Sequence, residues 1–442
     1  MATYLPPAGD RPGGEDAYLI GRGPAWFAFA MTLALMLFDY IDRQVIVSLF
    51  PYMKADWGLS DKELGALVSV VSVTVALGAL PVALIADRVS RVKSIVVMAT
   101  AWSLATISCM FTRNYGQLLA ARAVVGVGEA GYGSVGAALI ASIFPARMRG
   151  TLLAAFFAAA SVGSVLGVLL GGLIAAKWGW QAAFGVVGFP GLVLALLYLK
   201  VRDYKTVALT PALNNATRST GSTVAYVAKS MARSRTMLWV CLGGAAQLVV
   251  VSAVWSWLPS FLNRVHGLPP DQAAVRAALV VLVGAIGSVV WGSVVDRAGA
   301  RRPRRKLFTM AALATATTLV LLPTFGSTGL AQPSQFAWIA LGGFLMTCTV
   351  GPVSAIVIDV IHPGVRATGA SVLALFQNLL GLAAGPFIVG VLSDSLGLTT
   401  ALTIVPAFGL LAALFFLLAS RSYESEKASV AAVPVAAAPA AA

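Results

Sequence analysis

Nearly the whole 442-residue chain is occupied by about twelve apolar runs of roughly 20 residues, the length that carries one α-helix across the hydrocarbon core of a bilayer. They lie near 25–50, 63–86, 94–112, 117–142, 150–176, 181–200, 237–262, 273–295, 306–325, 335–359, 367–392 and 399–420. With 59% hydrophobic and 11% charged residues, the chain has too few charges to clothe a soluble protein of its length. The fold class that follows is an all-α integral membrane protein.

A short acidic-basic loop occurs twice, as Asp87-Arg88-x-x-Arg91 and Asp296-Arg297-x-x-x-Arg301, about 209 residues apart, each copy closing one apolar run and opening the next. Other landmarks repeat at an offset of about 217 or 218: Arg149 with Arg366, Pro145 with Pro363, and Gly163-x-x-x-Gly167 with Gly381-x-x-x-Gly385. A longer connection near 324–329 accounts for the drift. The twelve helices therefore divide into two pseudo-symmetric six-helix bundles, 25–200 and 237–420, preceded by a cytoplasmic segment 1–24, joined by a polar linker 201–236 and followed by a low-complexity tail 421–442.

The net charge of +14 does not indicate nucleic acid, because the basic residues are not gathered in a soluble domain with interleaved aromatics. Arg88, Arg91, Arg147, Arg149, Lys200, Arg202, Arg297, Arg301, Arg302 and Arg366 instead fall in or beside alternate loops, which the positive-inside rule makes cytoplasmic. Both termini then face the cytoplasm of a cell whose inner (plasma) membrane holds the protein. The mixed charges, Pro and Gly ahead of the first run are unlike a cleavable leader, so that span is retained. Cys109, Cys241 and Cys348 lie inside spans without partner spacing and imply no disulfide. His266 and His362 belong to no ligand cluster, so neither metal nor cofactor is expected.

A charge within a span costs on the order of 2.5–3.5 kcal/mol on insertion scales, which makes the few that exist informative. The first span carries Asp39, Asp42 and Arg43, and the fourth carries Arg122 and Glu129. Asp39 and Arg43 share one helical face, as do Arg122 and Glu129. At 1.5 Å per residue, Asp42, Arg43 and Arg122 lie about 10–12 Å from the outer end and Glu129 near the midplane, so the set can meet in one half. Such a set either fixes helix packing as permanent salt bridges or places a titratable carboxylate beside an arginine able to hold an anion. Its cost favours the second. Asp42, Glu129 and Asp39 are the candidates for proton coupling, and Arg43, Arg122, Tyr40 and Tyr132 for substrate binding.

The matching spans of the second half offer Gln247, Trp255 and Thr347, with Gln377 and Asn378 in the eleventh, but no interior charge before Asp359. One charged wall facing an aromatic and hydroxyl wall suits an amphiphilic organic anion. Trp255 and Trp257 also read as interfacial anchors beside Pro259. Asp87, Arg88, Arg91, Asp296, Arg297, Arg301, Asp359, Arg149 and Arg366 are gating candidates at helix ends; topology-setting charge alone explains the arginines but not the repeated aspartates. Gly126-x-Gly128-x-x-Gly131 matches a dinucleotide fingerprint in letters only, since no strand precedes it, and its glycines read as close helix packing. Gly163, Gly167 and Gly171 make a smooth face, and Gly385-Pro386 lets the eleventh helix bend; sliding surfaces and static packing both fit.

The repeated loop resembles the signature of the major facilitator superfamily, with Gly292-x-x-x-Asp296-Arg297-x-Gly299-x-Arg301-Arg302 the fuller copy and Ala83 and Ser90 departing from it in the first. Gly163-x-x-x-Gly167-Val168-x-x-Gly171-Gly172 looks like its helix-five antiporter motif, with Val168 in place of proline. Tyr40-Ile41-Asp42-Arg43 and Arg122 followed by Gly126-Val-Gly128-Glu129-Ala130-Gly131-Tyr132 are similar to spinster-type transporters. The resemblance implies a gradient-driven, proton-linked carrier working by alternating access, with Asp42, Arg43, Arg122 and Glu129 in or near its cavity. Eukaryotic spinster proteins are associated with sphingosine phosphate and lysophospholipids. The anion:cation symporters, carriers of sugar acids and aromatic carboxylates, share Asp-Arg and Gly-x-x-Glu-Ala and offer a second reading. A non-transporting sensor on a carrier scaffold lacks a visible signalling domain, and an enzyme lacks a nucleophile, metal or cofactor constellation. The expected partners are an anionic small molecule or amphiphile, protons and membrane lipid, with the monomer as the working unit.

Overall fold

The structure, a computed structural model, describes residues 18–204, 234–327, 332–361 and 366–431. Twelve helices among them are long and apolar enough to cross a membrane: α1 (Arg22–Ser48), α2 (Asp61–Ala79), α3 (Arg91–Cys109), α4 (Tyr115–Ile143), α5 (Arg147–Trp178), α6 (Trp180–Tyr198), α7 (Arg235–His266), α8 (Pro270–Gly299), α9 (Arg305–Gly326), α10 (Pro333–Asp359), α11 (Gly369–Leu396) and α12 (Leu398–Ala419). Each coincides with an expected span to within a few residues, α2 running on as helix to Arg88, and no strand occurs among the described residues. Helix starts follow local chemistry. Ser60 and Glu63 form a reciprocal capping box at α2, while Ser90, Asn114 and Ser234 accept from backbone N–H groups at α3, α4 and α7.

Glycine stripes bring the backbones together inside each half. Side chains at Gly163, Gly167 and Gly171 of α5 would run into the carbonyls of Leu37, Ile41 and Val45, so α5 seats the length of α1 that carries the buried charges. Gly381 and Gly385 of α11 repeat this against Ala245, Leu248 and Val249 of α7. In this conformation the stripes are tight packing surfaces within a half. Gly126 and Gly128 also pack closely, against Val71 and Thr74 of α2 and Trp102 of α3.

Two spans expected to be continuous are broken. α4 stops at Glu129 and restarts at Tyr132, with Gly131 at φ 82°, a left-handed conformation that costs glycine little. α10 breaks at the equivalent point, between Met346 and Val350. The freed Met346 carbonyl accepts from Gln247 Nε2 of α7 at 2.9 Å, and Thr347 Oγ1 donates to Gly284 O of α8 at 2.7 Å. In α11 the distortion begins before Gly385-Pro386, in a π-helical turn over Gln377–Leu382. Pro386 has no N–H to continue the ladder, and nearby carbonyls find side chains instead. Gly381 O accepts from Ser252 Oγ (3.1 Å), Ala383 O from Ser69 Oγ (2.6 Å) and Pro386 O from Trp257 Nε1 (3.0 Å).

The bundle has a terminal face, where α1 begins and α12 ends, and a far face, where α2 begins. At the far face the halves meet closely. Gly65 lies on Pro386, Gly390 on Asp61 and Gly172 on Ala274, while Phe50 packs on Trp257 with ring centroids 5.1 Å apart. The segment expected as a low-complexity tail starts with a helix, α13 (Tyr423–Ala431), because its polar groups find fixed partners on the second half. Tyr423 donates to Asp359 Oδ2 (2.6 Å), Lys427 pairs with the same oxygen (2.8 Å), and Glu426 accepts from Ser234 Oγ (2.6 Å). Burial first, then the bond to Asp359 and its charge, push the Tyr423 hydroxyl far above its ordinary range, so it stays a donor. Most of the expected linker, 205–233, lies outside the described residues.

Candidate functional site

Five charged side chains from α1 and α4 meet between these helices. Arg122 approaches Asp42 with Nη1–Oδ1 at 3.3 Å, and Thr106 Oγ1 of α3 donates to the other oxygen of Asp42. One turn away, Arg43 Nε lies 2.9 Å from Glu129 Oε2 and 3.4 Å from Asp39 Oδ1, with its guanidinium 5.4 Å from the Tyr40 ring centre. The pairs therefore cross, each arginine taking a carboxylate from the opposite helix. Glu129 stands on the last residue before the break in α4.

Asp39, Asp42, Arg122 and Glu129 are all buried; only the Arg43 side chain, 17% exposed, reaches a solvent-sized space. Both oxygens of Glu129 and Nε of Arg122 are buried without completing a hydrogen bond of good geometry. Three carboxylates face two guanidiniums, so one acid is in excess. A buried surplus charge is costly unless a proton or a counter-charge neutralises it.

Several other expected substrate contacts have structural work in this conformation. Tyr132 is buried, donates to Thr32 O of α1 at 2.6 Å and packs edge-on against Trp102 at 5.2 Å. Gln247 and Thr347 tie the break of α10 to α7 and α8, as described above. Trp257 is buried between the halves, which removes it as an interfacial anchor. Trp255 is half-buried beside Gly284 and Thr347, its Nε1 without a hydrogen-bond partner among the described residues. Gln377 and Asn378 lie half-buried on the π-helical turn, Asn378 Nδ2 donating to Ala374 O at 2.9 Å.

Among the gating candidates, Asp359 is engaged by α13 rather than by another span, because Tyr423 and Lys427 reach it first. Asp296 pairs with Lys306 at 2.7 Å across the α8–α9 turn, inside one half, while Arg297 and Arg301 are exposed. Arg91 donates to Ser142 Oγ at 2.8 Å and Ala138 O at 3.3 Å on α4, and Arg149 to Phe144 O at 3.2 Å. The side chains of Asp87, Arg88 and Arg366 lie outside the described residues. Two participants escaped the sequence reading. Thr106 carried no signal beyond being polar in an apolar run; Gln44, whose buried Oε1 accepts no bond among the described residues, directly follows Asp42-Arg43.

A sequence model described as the Major Facilitator Superfamily matches residues 32–384, most of the chain and both bundles. The chain belongs to that superfamily. It falls within the spinster-like subgroup of these membrane transporters, which are not enzymes. It is 26% identical to protein spinster homolog 3 of Danio rerio, over 94% of this chain and 88% of the relative. It is 29% identical to an MFS-type efflux pump of Mycolicibacterium smegmatis (92% and 95%) and 28% identical to a gallate transporter of Pseudomonas putida (87% and 89%). Among solved structures, a bacterial homolog of the human lysosomal transporter spinster, inward-facing and unoccupied, superposes with a TM-score of 0.81 at 21% identity, over 92% of this chain and 99% of that one. The paired breaks in α4 and α10 thus occupy equivalent places in the two halves of a superfamily transporter, and the charged set lines only the first.

Proposed function

We propose that this chain is a secondary carrier that moves an organic anion, including lysolipid-like amphiphiles, by alternating access and in symport with protons. The observation that carries the reading is the buried surplus acid beside a partly exposed Arg43. With all groups charged, Glu129 and Asp39 hold Arg43. A proton on Glu129 removes one of those holds and leaves Arg43 able to pair with an anion entering from the cavity. Proton and anion each make the other's binding easier, and that reciprocity is what a symporter needs. The bundles 25–200 and 237–420 are the moving units, joined through 201–236. The arginine-rich terminal face is read as cytoplasmic, in the cell's inner membrane, and the monomer as sufficient. With the far face closed, cargo enters this conformation from the terminal side.

The test uses purified protein with two probes, lysophosphatidylglycerol and gallate, in thermal-shift titrations across pH, followed by flux in liposomes with a trapped pH dye. A ligand at a hundred times its dissociation constant stabilises the native state by about 2.7 kcal/mol. Stabilisation that deepens as pH falls, is lost in Arg43→Ala and becomes pH-independent in Glu129→Gln supports the reading. Unchanged pH dependence in Glu129→Gln sinks it. A small aromatic carboxylate as cargo is the second reading, favoured by the 28% identity to the gallate transporter. Preferential stabilisation by gallate selects it.

A further inference from the structure

Asp61, the first residue of α2, is 3% exposed and sits at the centre of the far-face closure. Arg264 of α7 grips it with two bonds, Nη1–Oδ2 at 2.7 Å and Nη2–Oδ1 at 2.8 Å. Ser393 of α11 donates to Oδ2, and Lys54, on the short helix Phe50–Trp57, donates to Oδ1 at 2.6 Å. The backbone is held as well: Asp61 N and Lys62 N donate to the two oxygens of Asp394 at 2.8 and 2.9 Å. Arg264, Ser393 and Asp394 belong to the second half, whereas Lys54 and Asp61 belong to the first.

Both the Asp61 side chain and the start of α2 draw on partners from each side of the divide. The Asp61 carboxylate is shared between Arg264 and Lys54. The start of α2 is capped from across by Asp394 and from within by the Ser60–Glu63 capping box, with Ser60 N to Glu63 Oε2 at 2.9 Å and Glu63 N to Ser60 Oγ at 3.2 Å. Separating the halves strips away the foreign partners and leaves the home ones. The aspartate is then not stranded without a cation as the face opens; Glu63 N stays capped by Ser60, while Asp61 N and Lys62 N pass from Asp394 to water.

We propose that Asp61 is the charge-transfer latch of the far gate, passing from Arg264 to Lys54 when the gate opens. Two cations sharing one carboxylate weaken each other's hold, so Lys54 acts against closure even though it touches Asp61 in the closed state. That gives the two cations opposite signs. Removing Arg264 opens the gate and removing Lys54 keeps it shut. Lys54 has no such effect if the cluster is simply a packing contact.

The inference rests on the alternating-access reading above but needs neither substrate nor proton gradient to test. Spin labels on Lys177→Cys of α5 and Ser395→Cys of α11, both exposed at the far face, report the gate width by pulsed dipolar distance measurement in nanodiscs; the native cysteines are buried. Asp61→Asn and Arg264→Ala are expected to raise the long-distance population at least about fivefold, and Lys54→Ala to lower it. Ser393→Ala, which removes a cross-gate bond without orphaning a charge, is expected to raise it less, and it serves if either charge variant fails to fold. A Lys54→Ala variant that opens the gate or leaves it unmoved overturns the proposal, as does an unmoved gate in Arg264→Ala and Ser393→Ala. A failed flux assay alongside opposite-sign gate shifts strikes the coupling reading and spares the latch.

Discussion

Inside the apolar bundle Asp42 has Arg122 3.3 Å from one oxygen, and Thr106 donates to the other. Replacing Thr106 with Val keeps the shape and removes the donor, leaving a buried carboxylate oxygen short of a partner. That loss is expected to cost about 1–3 kcal/mol, read as a lowered midpoint in thermal unfolding of the detergent-solubilised protein. An unchanged midpoint dismisses Thr106 from the network. The five charges themselves were conspicuous in the sequence, since any charge in an apolar run stands out. Their crossed pairing was not: i,i+4 spacing puts Arg43 beside Asp39, yet the closer partner of Arg43 is Glu129 on another helix. Thr106 was invisible for a related reason. A threonine in a lipid-spanning helix commonly bonds its own backbone, so its type says nothing about a partner across the bundle.

At the level of helices, the position of α1 depends on the glycine face of α5. A methyl group at Gly167 would come within 2.6 Å of the Ile41 carbonyl and 2.9 Å of Gln44, one residue from the Asp42-Arg43 pair on each side. Gly167→Ala is therefore expected to cost about 1–3 kcal/mol through overpacking and to weaken ligand-induced stabilisation together with it. Full thermal stability in that variant shows that α1 and α5 have room to part. Helix number, order and approximate ends were legible, because hydrophobic length and capping residues are local properties. The breaks were not equally so. Gly131 looks like any packing glycine until its φ is known, and the break at Thr347–Thr349 itself contains neither glycine nor proline; Pro352 has no N–H for the Cys348 carbonyl, while Gln247 takes up the freed Met346 carbonyl and Thr347 Oγ1 bonds Gly284 O. The helix after α12 was likewise hidden, since its partners Asp359 and Ser234 are distant in sequence.

Across the whole molecule, the far face is closed by two helix crossings, α2 on α11 and α5 on α8, besides the Asp61 cluster. Gly172 and Ala274 sit side by side at the second crossing, where a methyl group on Gly172 would fall 2.3 Å from the Ala274 side chain. Gly172→Leu is therefore expected to prop this crossing apart and to raise the long-distance population between spin labels on Lys177→Cys and Ser395→Cys. An unmoved distance distribution shows that the crossing absorbs the larger side chain without parting. The duplicated loop and the twelve apolar runs already committed the chain to two six-helix halves in a bilayer, because lipid-spanning length, repeat offset and charge in alternate loops are all written along one dimension. Which carboxylate each arginine holds, where the spans break and which face is shut depend on groups from 63 to 333 residues apart being brought to within about 3 Å, a distance set by the packing of the helices together.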